Sequence, residues 1–283
     1  MLAGLVLSAA LAASSLTAAA QPPAWLDRMN QYRAAGGISG VIDTPEWTQG
    51  EVNHSLYAVG TGEIGHSEQP STPWSSASGA AAAAAGNVYA SSNPYLPDTE
   101  IIDAWMMSPL HAWGIVRPGL TRTAFGTWRD GNAPRGWGVA ATLDVLRGWV
   151  YGFRPQRPMP FPYPGAQLPL SSSNGLDMCG PGPAGPVSFF FFPQNPVVTG
   201  FVIRVNGVDV APCVVTSTNF VPASGDATVW RTMLAADGAV MMFPLRPVPI
   251  GATVQVVVAT AQYGDSATWY TVRDDRLIGI PVP

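Results

Sequence analysis

The stretch Ile102-Asp103-Ala104-Trp105-Met106-Met107-Ser108-Pro109-Leu110-His111 decides how this chain is read. Ile102, Trp105 and Met106 share one face of a helix predicted to run from Asp98 or Thr99 to Met107. Asp98 can cap that helix, Glu100 suits its first turn, and Pro109 ends it. His111 follows the stop at once. A second histidine lies upstream in Gly65-His66-Ser67-Glu68, and His54 is the third and last. Imidazole changes charge near physiological pH and is the commonest side-chain ligand of transition metals. The imidazole supply is therefore confined to one half of the chain, where the histidines either pack or form a site.

Outward from that stretch, helical and strand patterns mix as far as residue 150. A first helix follows Pro22-Pro23, with Trp25, Met29 and Tyr32 on one face, and stops at Gly36-Gly37. A second, around Trp47 to Val59, puts Val52, Leu56 and Val59 on one stripe. His54 falls roughly 200° around from Val52, off that packed face, so it is expected either in solvent or lining a second surface. Ser71 to Ala85 is a polar segment running into alanines that could be helical. Thr123 to Trp128 and Trp137 to Leu146 read as strands, and the second alternates Trp137, Val139, Ala141, Leu143 and Val145 on one face.

Arg154 to Pro169 is dense in proline and reads as an extended spacer between domains. Beyond it, residues 171–283 look all-β. Val187 to Phe192 suits a buried strand, and Asn206-Gly207 between Phe201–Val205 and Val208–Val210 is a strong hairpin signal. Val229–Met233 and Ala239–Phe243 are predicted to flank a turn at Ala236-Asp237-Gly238. Thr253–Thr260 and Thr268–Val272 complete about seven short strands, a pattern expected of an immunoglobulin-like sandwich.

Composition narrows the function classes. The chain has 283 residues, 47% hydrophobic and 11% charged, so it can bury a core and is not of the disordered type. Its 14 basic and 18 acidic residues give a net charge of −4 without a cationic cluster, which argues against nucleic-acid binding. Every cation is arginine, which removes Schiff-base or lysine-nucleophile chemistry. No GxSxG, HExxH, GxxxxGK[ST] or strand-linked GxGxxG motif is present.

Leu2 to Leu16 is apolar and small, and Thr17-Ala18-Ala19-Ala20-Gln21 offers an Ala-x-Ala cleavage site. Residues 1–20 are therefore expected to be an export signal, although no Arg or Lys precedes the apolar run. The mature chain is expected to lack a membrane span and to be secreted or held in the cell envelope. Cys179 and Cys213, 34 positions apart, fit an oxidising compartment, where a bridge between them would stabilise the fold by roughly 3–4 kcal/mol. Two buried thiols are the alternative.

Several pieces follow one another in a telling order. They are Trp25 to Gly37, with Asn30 and Arg33 in an N-x-x-R spacing; Asn53 to Ala58; Gly65 to Glu68; Gly86-Asn87-Val88-Tyr89-Ala90; the 102–111 stretch; and Gly119 to Gly126. Over residues 24 to 147 this order resembles the CAP superfamily of cysteine-rich secretory proteins, venom antigens and plant pathogenesis-related proteins. The resemblance implies an αβα-sandwich CAP domain at 21–150; with the linker at 151–170 and the β-sandwich at 171–283 read from the residues above, the whole chain is expected to be α+β. It also implies that His66 and His111 face each other across a cleft.

The departures bear on activity. The family's cleft usually adds two acidic residues, but here Gly86 stands before Asn87 and Ser108 stands three residues after Trp105. Two imidazoles without those carboxylates make a poor acid/base pair and fall short of a tight zinc site. Glu68 or Asp103 could substitute, and His54 could serve as a third imidazole. The leading expectation is a non-enzymatic extracellular module that binds a lipid, metal or protein ligand at His66, His111, Ser108, Glu68 and Asp103. The alternatives are a hydrolase in which His66 and His111 hold a divalent ion such as zinc, and a structural envelope protein whose histidines only pack.

Overall fold

The computed structural model describes residues 22–133, 135–180, 182–223 and 225–273. The expected export signal lies outside the described residues. Helix α1 (Ala24–Ala35) starts after Pro23 and ends at Gly36, and the expected stripe of Trp25, Met29 and Tyr32 is buried. Strand β1 (Ile42–Asp43) leads into α2 (Pro45–Thr61), where proline occupies the first turn and Gly62 ends the helix in the left-handed region. Helix α3 (Ala77–Ala85) is capped by Ser76, whose hydroxyl accepts the Gly79 N–H, and runs straight into β2 (Gly86–Ser91).

Helix α4 (Asp98–Met106) ends where predicted, but Pro109 does more than stop it. It occupies the first turn of α5 (Pro109–Val116), where its missing N–H leaves no intrahelical bond unmade. Strands β3 (Arg122–Thr123), β4 (Phe125–Arg129) and β5 (Val139–Asp144) follow. β3 pairs in parallel with β1, while β2, β5 and β4 form an antiparallel sheet in that order.

Both faces of β5 are buried, where alternation had suggested one. Val139, Ala141 and Leu143 join the core containing Trp25 and Trp105, whereas Ala140 packs with Ala58 and Val59 of α2. Helices therefore cover both faces of this sheet. The same packing overturns the expectation for His54. The face of α2 turned inward carries small or polar residues, Gly50, Ser55 and Ala58, that let β4, β5 and α3 approach; Val52 and Leu56 are only half-buried, and His54 is fully buried.

The rest of the chain builds two more sheets. One contains β11 (Pro212–Val215), β12 (Ala239–Pro244), β8 (Ser188–Phe191) and β6 (Met159–Phe161), in that order; the other contains β10 (Val208–Val210), β9 (Val198–Val205), β13 (Thr253–Thr260), β14 (Gly264–Val272) and β7 (Ala166–Leu168). The proline-rich stretch thus supplies β6 and β7, one to each sheet, rather than running free of them. Both lie at sheet edges, where a residue without an N–H leaves no central ladder bond unmade. Asn206 and Gly207 make the predicted hairpin with φ of 50° and 81°.

One strand expectation fails. Val229–Met233 lies in α6 (Ala227–Asp237), capped by Asp226, which accepts the Thr228 N–H at 2.7 Å, and ended by left-handed Gly238. Those two caps outweigh the β-propensity of Val229, which is exposed. Cys179 and Cys213 are bridged, with Cα atoms 5.7 Å apart. The α+β composition agrees with expectation, and no helix among the described residues is long and apolar enough to cross a membrane.

Candidate functional site

A cavity of about 350 Å³ opens between β2, α4 and the start of α5. Its walls include Tyr89, Trp105, Met107, Ser108 and His111, together with Asn174 from the C-terminal half. Local sequence places these groups. Trp105 is locked by its indole N–H, which donates to Val88 O at 3.2 Å. Ser108 occupies the N-cap of α5, and the turn beginning at Pro109 aims His111 into the cavity. Buried Asn87 donates from Nδ2 to His111 O at 3.1 Å, tying β2 to that turn. Asn174 is held by its own N–H, which donates to Met107 O at 2.8 Å.

His111 is half-buried, and burial pushes its pKa down to about 4, with the neighbouring His66 pressing in the same direction. The imidazole is therefore neutral at pH 7 and offers one donor and one acceptor. His66 is exposed, and its Nδ1 lies 3.1 Å from Ala83 O. A carbonyl can only accept, so Nδ1 is the donor in this contact. The structure thus brings the two histidines close enough to interact electrostatically.

The other expected site residues are engaged elsewhere. Asp103 accepts Arg28 Nε at 2.6 Å, Arg28 Nη2 at 2.8 Å and the Tyr32 hydroxyl at 2.8 Å, which pins α4 to α1. Glu68 takes His54 Nδ1 at 3.0 Å on one oxygen and the Ser76 N–H at 2.8 Å on the other. His54 Nε2 donates to Gly65 O at 2.9 Å, so neither ring nitrogen is free for a metal. Gly86 leaves no room for a carboxylate side chain: a Cβ would sit 2.8 Å from Thr142 Cγ2 and 2.9 Å from Ala82 O.

No protein-family model matches this chain, and no curated protein matches it in sequence. The chemistry must be read from the groups themselves. No cluster of three or more His, Cys, Asp or Glu side chains able to hold a metal ion occurs among the described residues. His66 and His111 alone fall short of the three or four donors of a zinc site, so the residues present do not fit a tightly held zinc ion. No hydrogen bond joins Ser108 to His111 among the described residues, so these two side chains are not coupled as nucleophile and base.

Sequence reasoning missed several groups. Asn174 had no signal, because it reaches the cavity from a loop more than sixty positions away. Asn30 and Arg33 were singled out only by resemblance, and both act as clamps. Asn30 exchanges two hydrogen bonds with the Val41 backbone, at 2.8 and 3.1 Å. Arg33 is fully buried, donates to the carbonyls of Ser39, Ile115, Arg117 and Leu120, and has its pKa lowered to about 10 by desolvation. A third cluster gathers Glu51 and Asp144, two fully buried carboxylates, on the single guanidinium of Arg147.

Proposed function

We propose that this chain is a secreted, non-enzymatic binding module of the CAP type whose cavity beside His111 takes an uncharged, partly apolar ligand. The observation that carries this reading is a neutral imidazole, with its pKa lowered to about 4, in a cavity whose walls hold no carboxylate among the described residues. Trp105, Tyr89 and Met107 supply apolar wall, while Ser108, His111 and Asn174 supply neutral hydrogen-bonding groups. A few fixed polar groups in an apolar pocket of several hundred Å³ is the usual make-up of a small-molecule site. The helix layers on both faces of the β2–β5–β4 sheet support the CAP assignment, and the paired C-terminal sheets support an immunoglobulin-like sandwich that carries an extra helix. The Cys179–Cys213 bridge supports an oxidising destination for the chain. The hydrolase reading lacks a third metal ligand and a base-coupled nucleophile among the described residues.

The test is a fluorescence titration of the mature protein with cholesterol delivered from cyclodextrin, a probe with one hydroxyl on an apolar body. Saturable one-to-one binding, weakened roughly tenfold or more in His111→Ala, is expected, since loss of a buried polar contact is worth about 1–3 kcal/mol. Binding that is absent, or indifferent to His111, would count against the reading. Saturable hydrolysis of an ester or peptide, abolished by His66→Ala, would replace it with the enzymatic one.

A further inference from the structure

Strand β9 is eight residues long, but β10 covers only part of its outer edge. Val208, Asp209 and Val210 pair with Val205, Arg204 and Ile203. At Ala211 the chain leaves that sheet, and Pro212, which the same register would set opposite Phe201, pairs instead with Pro244 of β12. The edge of β9 from Val198 to Val202 is thus left without a strand beside it among the described residues. Ladder alternation says which groups this exposes. Asn206 donates its N–H to Thr253 O, so Arg204 and Val202 also bond toward β13, while Val205, Ile203 and Phe201 turn their backbone groups the other way. Those of Val205 and Ile203 meet β10, and those of Phe201 meet no strand.

A cavity of about 440 Å³ lies in the gap. Val197, Val198 and Phe201 line it from one sheet and Pro212, Val214 and Thr216 from the other, so the change of sheet at Ala211 holds it open. Val197 is 58% exposed and Phe201 53%. No charged side chain lines the cavity among the described residues. The two strands differ in how their free edges are closed. On β11, Asn219 Oδ1 accepts the Thr216 N–H at 2.7 Å, its Nδ2 donates to Val214 O at 2.9 Å, and Pro212 has no N–H. The Asn219 amide stands where a further strand would bond. The open part of β9, Val198-Thr199-Gly200-Phe201-Val202, has neither proline nor charge, the usual guards against pairing.

We propose that this slot docks a short extended segment of a partner protein, uncharged and rich in Val, Ile or Thr, which adds a strand to β9. The segment's backbone exchanges hydrogen bonds with the Phe201 N–H and C=O, continuing the line of β10. Its inward side chain fills the cavity against Val197, Phe201 and Val214. Strand pairing supplies affinity that tolerates differences in sequence, while the neutral walls reject a charged side chain, which would be buried without a partner.

The probes are acetyl-Thr-Val-Thr-Val-Thr-amide and the same peptide with Asp for each Val, titrated into the full mature chain by calorimetry. The first should bind saturably, one to one, at millimolar concentration or below, and the second roughly tenfold or more weaker. Because the cavity fixes which side chains face inward, N-methylation of one alternate set of amides should abolish binding and that of the other should spare it. Val197→Asp, a surface change whose folding the thermal midpoint checks, should weaken the first peptide roughly tenfold. No binding at millimolar peptide, or equal affinity for the two methylated sets, would overturn the site. So would a dimer in sedimentation velocity that Val197→Asp dissociates, since a second copy would then fill the slot. Binding of cellopentaose in place of the peptide would also overturn it, since the cavity would then hold a sugar.

Discussion

His54 Nδ1 lies 3.0 Å from Glu68 Oε1, and both side chains are completely buried. The imidazole's other nitrogen is committed as a donor to Gly65 O, so Nδ1 has the Glu68 carboxyl as its partner. This contact ties the loop that carries His66 to α2, so a buried pair outside the cavity positions a residue beside it.

Glu68→Gln should therefore be nearly silent and Glu68→Ala severe. The glutamine amide can donate to Nδ1 of a neutral His54 while its oxygen still accepts the Ser76 N–H. Alanine leaves a buried imidazole without its partner. Urea denaturation should show a loss under about 1 kcal/mol for the glutamine variant and about 3–5 kcal/mol for alanine. Equal losses would mean that the pair contributes packing and nothing more.

His111 makes stability depend on pH in a defined window. Its folded pKa is about 4 against an ordinary 6.5, so between those values the unfolded chain binds the proton and the folded one does not. Stability contributed here is complete well above pH 6.5 and falls as the pH drops toward 4, by about 3 kcal/mol. His111→Gln should flatten that part of the profile, measured by denaturant unfolding at successive pH values.

Glu51 slopes the opposite way. Burial, with Asp144 beside it, raises its pKa to about 8 from 4.5, so the folded state holds a proton that the unfolded state has lost. Its contribution is complete below pH 4.5 and declines as the pH rises toward 8. Glu51→Gln keeps an acceptor for Arg147 and removes the ionisation, so it should stabilise the protein by about 1–3 kcal/mol at pH 8. A variant less stable than wild type at that pH would contradict this account.

Gly86→Glu should not rebuild an acidic cleft. The new Cβ would press on Thr142 Cγ2 and Ala82 O, so a loss of about 1–3 kcal/mol is expected in thermal or denaturant unfolding. Gain of zinc binding by calorimetry, without a loss of stability, would show that the pocket yields more easily than its packing implies.

Much of the fold was legible because it depends on neighbouring residues. Pro23 and Gly36 bracket α1, Asn206-Gly207 turns a hairpin, and the 102–111 stretch marks both a helix stop and the histidine that lines the cavity. Propensity misled at Val229, where the Asp226 and Gly238 caps decided for helix, and periodicity misled on α2, where small residues rather than Val52 and Leu56 turn inward.

The sequence by itself determined the α+β composition, the positions of most turns and the short supply of titratable groups from which any site must be built. Only the tertiary structure decided which of them meet. It committed His54 to Glu68 across 14 positions and Trp113 to Asp237 across 124, turned Asp103 toward Arg28, and brought Asn174 to the cavity. Such partnerships have no local signature. A buried polar group must find a partner wherever packing places one, and packing is settled by the whole chain at once.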